Sequence, residues 1–426
     1  MLNIQIKKGI IFILIFTSYK GLGLFSGGGL GRGEFNLLSV LQIITTLLLF
    51  LFFLRAIKNK NKYSGSLFKI FLVLIAYLFF EFVLSLILLV FSGGVPVMSS
   101  FYNFTKIFYV LAFFSTITLI DSKKELTIIY NFIITTAIVS AIIAIIAFFF
   151  PGFGLFMQQQ SIKIGSEFRF YIPTSSVIVS GYFFLLAKNI KQSFRSIDVF
   201  LLLLLFLVTI MQLNRSTIIL LVVFTALAFI FNGKLKIIPY LVVFILLAYF
   251  ISNIFLERVG LSFKEIGYII DYSFNGVKNY NSNNTFIWRL EVLLNNLNFV
   301  TLKGHIFGIG FNWRAYSFVD YANNHFVLSP TNDNAFANII IVLGLPGMVI
   351  YYSLIKKSFS SLNNKKNKIY KTDFVNMGLK YSLLYLLSIS FFTNGILIGS
   401  NSLMIYILIG LIYSYALFGQ RKPSLP

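Results

Sequence analysis

Residues 70–92 read IFLVLIAYLFFEFVLSLILLVFS, a run whose single charge is Glu81 and whose other polar groups are Tyr77, Ser85 and Ser92. At 1.5 Å of rise per residue, about 20 such positions carry a helix across roughly 30 Å of hydrocarbon. Runs of the same character recur at 9–26, 37–54, 104–120, 127–150, 172–187, 197–213, 216–231, 237–256, 334–355, 374–392 and 402–419. The expected fold is therefore all-α, a polytopic integral membrane protein of about twelve transmembrane helices, with 1–426 forming a single membrane domain. The run at 9–26 is short and interrupted by Lys20, but it lacks a small-residue cleavage site and so does not read as a removed signal peptide.

Composition agrees. The 426 residues are 58% hydrophobic and 11% charged, with a mean hydropathy of +0.87, whereas a soluble domain is about half apolar and a quarter charged. Fifty-one Phe residues exceed what one globular core can hide, so lipid must serve as part of the solvent. The absence of cysteine excludes disulfides and thiolate metal sites. A net charge of +22 would suggest nucleic acid in a soluble protein. Here the basic residues sort by position. Clusters at 7–8, 55–69, 123–124, 188–195, 234–236, 356–371 and 421–422 hold 22 of the 35 Lys and Arg. The short connections of the opposite set hold only Arg32, Lys163, Arg169 and Arg215. The positive-inside rule places the first set and both termini in the cytoplasm. Topology explains the basicity, and no nucleic-acid partner is expected.

Two outward segments exceed simple turns: 151–171, and the large outer loop 257–333. The second contains a helix candidate, capped by Asn284 or Thr285, with Phe286, Leu290, Leu293 and Leu297 on one face through Leu302. Trp288, Arg289 and Glu291 lie on its flanks. Eight of the thirteen acids fall on this side: Glu34, Glu167, Glu257, Glu265, Asp271, Glu291, Asp320 and Asp333. With them are Arg169, Arg215, Arg258, Arg289 and Arg314. Both signs of charge crowded beside lipid imply a polar cavity that handles a charged substrate.

Each of these residues has a plainer reading beside the functional one. Arg215, in Gln212-Leu213-Asn214-Arg215-Ser216-Thr217, is either an anion-binding group or a snorkelling turn residue. Arg169 is a substrate contact or the partner of Glu167 on a solvated loop. Arg289 either flanks an amphipathic helix or binds anions, and Arg314 either decorates a loop or does the same. Together the guanidinium groups suit a phosphate or pyrophosphate ligand, which they grip through paired hydrogen bonds. Asp333 is a helix N-cap or a general base. His325 is a second base candidate or a solvated loop residue. Glu81 is a proton relay or a neutral, hydrogen-bonded carboxyl. Asp320, His325 and Asp333 make a poor metal triad, and the stretch Gly27–Gly33 lacks the P-loop lysine. No nucleotide fingerprint is present, so ATP hydrolysis is not expected of this chain.

Four local patterns, in this order, resemble those of the Wzy-type polymerases of bacterial surface polysaccharide and the related O-antigen ligases. They are Arg169-Phe170-Tyr171-Ile172-Pro173 before a span and Asn214-Arg215-Ser216-Thr217 at the head of one. The third is Trp288-Arg289 followed by Phe307-Gly308-Ile309-Gly310-Phe311, and the fourth is Asp333-Asn334-Ala335-Phe336 followed by Gly344-Leu345-Pro346-Gly347. The ligases resemble one another in a His before that Asn; this chain has Asp333 there, which favours the polymerase. The resemblance implies an undecaprenyl-pyrophosphate-linked oligosaccharide as substrate and glycosyl transfer on the periplasmic face of the inner membrane, in O-antigen or capsule synthesis. It implies Asp333 as catalytic base, with His325 or Glu291 in reserve. It further implies Arg215 and Arg289 on pyrophosphate, Arg169 and Arg314 in support, and Tyr171 and Asn334 as further substrate contacts. No metal or cofactor is required, since the arginines take the electrostatic part. A chain-length regulator, a flippase and membrane lipid are the implied partners. The alternatives are O-antigen ligase and, from another class, a flippase or transporter of lipid-linked oligosaccharide.

Overall fold

The computed structural model describes residues 37–63, 65–92, 106–150, 161–164, 167–170, 172, 174–192, 195–211, 215–232, 293–294, 296–298, 300–302, 306–308, 310, 334–363, 374–391 and 402–420. Ten helices are named here: α1 Leu37–Lys58, α2 Ser66–Ser92, α3 Ala112–Leu119, α4 Lys123–Phe149, α5 Ser175–Lys191, α6 Ser196–Met211, α7 Arg215–Phe231, α8 Ala335–Asn363, α9 Phe374–Ile389 and α10 Ser402–Gln420. A 3-10 helix, Lys106–Leu111, runs directly into α3. Each coincides with one of the apolar runs read from the sequence; the runs at 9–26 and 237–256 lie outside the described residues. Among the described residues three helices are long and apolar enough to cross a membrane: α2 over Ser66–Ile87, α4 and α8. The stretch Phe108–Leu119 and α6, α7, α9 and α10 are shorter apolar helices.

Among the described residues one feature departs from an all-α fold. Strands β1 Ser161–Ile164 and β2 Glu167–Phe170 pair antiparallel within the 151–171 segment, with Ile162 opposite Arg169 and Lys163 opposite Phe168. Ser-Ile-Lys-Ile and Glu-Phe-Arg-Phe both alternate with period two around Gly165-Ser166, the pattern of a short hairpin.

The outer shell is apolar. Leu47 and Leu51 on α1, Val73 and Phe79 on α2, and Phe148–Phe150 at the end of α4 are all exposed. Water would penalise such a continuous apolar surface, and hydrocarbon does not. Inside, α10 is buried on every side from Ser402 to Tyr415. Aromatic side chains lock the interior: Phe71 stacks on Phe113 at 3.7 Å between centroids, and Phe71 meets Tyr406 edge-on. The Tyr351 and Tyr406 hydroxyls share a hydrogen bond of 2.7 Å. A second stack pairs Tyr130 with Phe184 at 4.0 Å, and the Tyr130 hydroxyl donates to the Phe184 carbonyl. Small residues set the helix spacing, as is usual where lipid gives no hydrophobic drive between helices. Gly181 on α5 sits against Ala137 of α4, and Gly410 on α10 sits against Thr116 of α3.

Long-range bonds sort the helix ends. Lys62 Nζ pairs with Asp121 at 2.6 Å, the Gly65 N–H donates to the Tyr413 hydroxyl, and Asn376 donates to the Leu362 carbonyl. The 59–65 connection, the head of α4, the tail of α8, the head of α9 and the later part of α10 thus share one end of the bundle. Four of the basic clusters (55–69, 123–124, 356–371 and 421–422) lie on or adjoin these elements, so the geometric sorting and the charge sorting agree.

Candidate functional site

The opposite end gathers elements far apart in sequence. The Ala335 N–H at the head of α8 donates to the Ser390 carbonyl just after α9, at 2.9 Å. The Tyr385 hydroxyl of α9 donates to the Thr217 carbonyl in the first turn of α7. Helix α5 joins the group through Ser382 Oγ, which donates to the Ser180 carbonyl, and through the Tyr182–Thr225 hydroxyl pair at 3.0 Å. Arg215 is the first residue of α7, and Arg169 lies on β2 shortly before α5 begins. The heads of α5, α7 and α8 therefore share an end; Arg215 opens α7 there, and Arg169 precedes α5 on β2. Tyr171, Arg289, Glu291, Arg314, His325 and Asp333 lie outside the described residues.

Asn334 is wholly buried, and its Oδ1 accepts from the Phe336 and Ala337 N–H groups at 3.0 and 3.1 Å. It is the N-cap of α8, satisfying donors that no earlier turn can satisfy. The capping role considered for Asp333 is filled one residue later. Beside it lies a residue the sequence reading does not single out. Asn296 is wholly buried, its Nδ2 donates to the Ala337 carbonyl at 3.1 Å, and its Oδ1 has no hydrogen-bond partner among the described residues. The expected helix is present over its last turns. Its inward stripe there runs Leu293, Asn296, Val300, while Leu302 is 80% exposed. The signal for Asn296 is a polar residue at helical spacing between two apolar ones.

A second polar feature lies deeper. Helix α8 leaves helical geometry at Gly344 (φ 61°, ψ −160°), two residues before Pro346. Proline has no N–H to return to the preceding turn. The Leu345 N–H instead donates to the Ile306 carbonyl at 2.9 Å. Gly308 and Gly310 also have positive φ, and Gly308 and Gly344 interlock so closely that a Cβ on either would strike the other's backbone. A Cβ on Gly310 would strike Ser85 of α2. The Gly-rich turn and the Gly-Leu-Pro-Gly stretch, separate in the sequence, thus form one joint.

Glu81 lies in this joint. Its side chain is wholly buried, and neither carboxylate oxygen has a hydrogen-bond partner among the described residues. Its polar neighbour is the Tyr77 hydroxyl, one turn earlier, which donates to the Leu343 carbonyl at 2.6 Å and more weakly to Phe307 at 3.4 Å. Ser85 Oγ donates to the Glu81 main-chain carbonyl. Tyr77 is at the middle of the apolar stretch Ser66–Ile87. Ile306 and Phe307 are about half exposed, and the Phe307 ring meets the outward-facing Phe80 edge-on. Within the 257–333 segment, read from the sequence as an outer loop, Ile306–Gly308 and Gly310 pack against the middle of α2. Non-helical backbone beside a membrane-length helix keeps its polar groups paired with protein, as the Ile306 carbonyl is with the Leu345 N–H.

No family model matches the sequence, and no curated protein matches it.

Proposed function

We propose that the protein is a polymerase of lipid-linked oligosaccharide repeat units in O-antigen or capsule biosynthesis. It lies in the bacterial inner membrane with twelve spans, both termini cytoplasmic and the 257–333 segment opening to the periplasmic face. The observation that carries this reading is the ordered set of four motifs. The shared end of the heads of α5, α7 and α8, with Arg215 as the first residue of α7, is compatible with it.

In the proposed reaction a hydroxyl oxygen of the incoming repeat unit attacks the anomeric carbon of the growing chain. The new glycosidic bond forms as the bond from that carbon to the pyrophosphate oxygen breaks. The hydroxyl proton passes to the Asp333 carboxylate, with His325 or Glu291 in reserve. Undecaprenyl pyrophosphate leaves with the bonding pair, and Arg215 and Arg289, supported by Arg169 and Arg314, stabilise its charge. No metal or cofactor takes part in this scheme.

A second reading has one observation in its favour. A buried carboxyl beside a broken helix is also the form of a coupling-ion site in a transporter, here a flippase of lipid-linked sugar. Gel electrophoresis of surface polysaccharide separates the readings, using a strain lacking the gene and complemented with wild type, Arg215→Ala or Asp333→Ala. Single repeat units on their final acceptor, without a ladder, support the polymerase. Polymer accumulating on the lipid carrier means a ligase, and units trapped on the cytoplasmic face mean a flippase. Loss of a pyrophosphate-binding Arg costs about 100-fold or more if it acts as a transition-state donor.

A further inference from the structure

Among the described residues Glu81 is the one wholly buried acid, and no described cation lies beside it. Its own helix offers only Tyr77 nearby and Lys69 three turns away, at about 18 Å of helical rise. Residues 335–347 of α8, packed against α2, carry no titratable side chain, and neither do residues 306–310 of the turn. A charged carboxylate in such a place would be shut off from solvent with no cationic partner among the described residues, the arrangement most costly in an apolar interior. The neutral acid differs in one respect: it has a proton to donate. The Tyr77 hydroxyl has its own proton committed to the Leu343 carbonyl, so its oxygen is left to accept.

We propose that Glu81 is a proton-binding site. The acid donates to the Tyr77 oxygen, Tyr77 donates to the Leu343 carbonyl at the break in α8, and this chain pins the Gly308–Gly310 turn between α2 and α8. The ligand is the proton itself, and the proposal does not depend on which reaction the protein performs. A sodium ion at the same place would need five or six oxygens, and the joint offers one carboxylate together with carbonyls and hydroxyls that are already engaged.

Infrared spectroscopy of the full-length protein in lipid nanodiscs tests this directly. At neutral pH in potassium buffer, wild type shows a carboxylic-acid C=O stretch that disappears in Glu81→Gln. In Tyr77→Phe the same band persists but moves to the higher frequency of an acid with no acceptor. Glu81→Gln, an isostere of the neutral acid, retains wild-type thermal stability at neutral pH, and its stability falls less steeply at alkaline pH than that of wild type. A carboxylate band in place of the acid band at neutral pH overturns the proposal. So does an acid band that converts to carboxylate when sodium replaces potassium, since that would put a metal cation in the joint. Should Glu81→Gln fail to accumulate, the band shift in Tyr77→Phe decides alone: an unshifted band overturns the hydrogen-bonded chain.

Discussion

The Tyr77 hydroxyl donates to the Leu343 carbonyl at 2.6 Å, one residue before α8 leaves helical geometry at Gly344. A broken helix strands carbonyls that a continuous helix would occupy, and a span-to-span bond fills one of them. Tyr77→Phe removes the donor and leaves the acceptor buried. The expected cost is about 1–3 kcal/mol, read as a lower Tm of the purified protein. An unchanged Tm would show that Leu343 finds another donor.

Gly344→Ala is expected to be far more damaging. A Cβ at this position would collide with the Ile306 carbonyl, in a backbone region that L side chains rarely adopt. The strain alone is roughly 1–3 kcal/mol, and backbone must shift to relieve the collision. The purified variant should be scarce and aggregated by size-exclusion chromatography, as should Gly308→Ala. Wild-type yield and elution for both would refute the interlocked joint.

At Asn334, capping and substrate contact separate by substitution. Asn334→Ala loses the bonds to the Phe336 and Ala337 N–H groups and should cost about 1 kcal/mol. Asn334→Asp keeps an accepting oxygen whose charge-assisted bonds to the same N–H groups offset part of the cost of burying a carboxylate, so it should be the more stable of the two. The polysaccharide ladder then decides the rest. A ladder preserved in Asn334→Asp marks a cap alone, whereas a ladder lost in a stable Asn334→Asp variant places the amide on the substrate.

The Lys62–Asp121 pair makes a prediction about pH. The hydrogen bond to Asp121 raises the Lys62 pKa above its ordinary value. Its folded value therefore exceeds its unfolded value, so its contribution is complete below the unfolded value of about 10.4 and is lost as pH rises through the raised one. Both side chains are partly exposed, at 40% and 47%, so solvent screening holds the pair to the surface range of about 0–1 kcal/mol. Thermal melts of Lys62→Met should match wild type to within a small shift between pH 6 and 9 and fall less steeply above pH 10. A large loss at neutral pH would mean that Lys62 does more than pair with Asp121.

The sequence by itself determined where the helices lie, because apolar length is a local property. The run at 37–54 became Leu37–Lys58, and the run at 402–419 became Ser402–Gln420. It also determined that Glu81 sits inside a span and that a polar residue opens α8. The β-hairpin escapes an argument built on span length, since four-residue strands show only in the alternation of Ser161–Ile164 and Glu167–Phe170. Tertiary structure alone decided the rest. Tyr77 meets Phe307 and Leu343 across 230 and 266 residues of chain, and no local pattern encodes which turn will fill a break in which helix. The burial of Asn296 against Ala337, the interlocking of Gly308 with Gly344, and the company Glu81 keeps all follow from side chains and backbone competing for the same space. Close packing settles that competition only when the whole bundle is assembled.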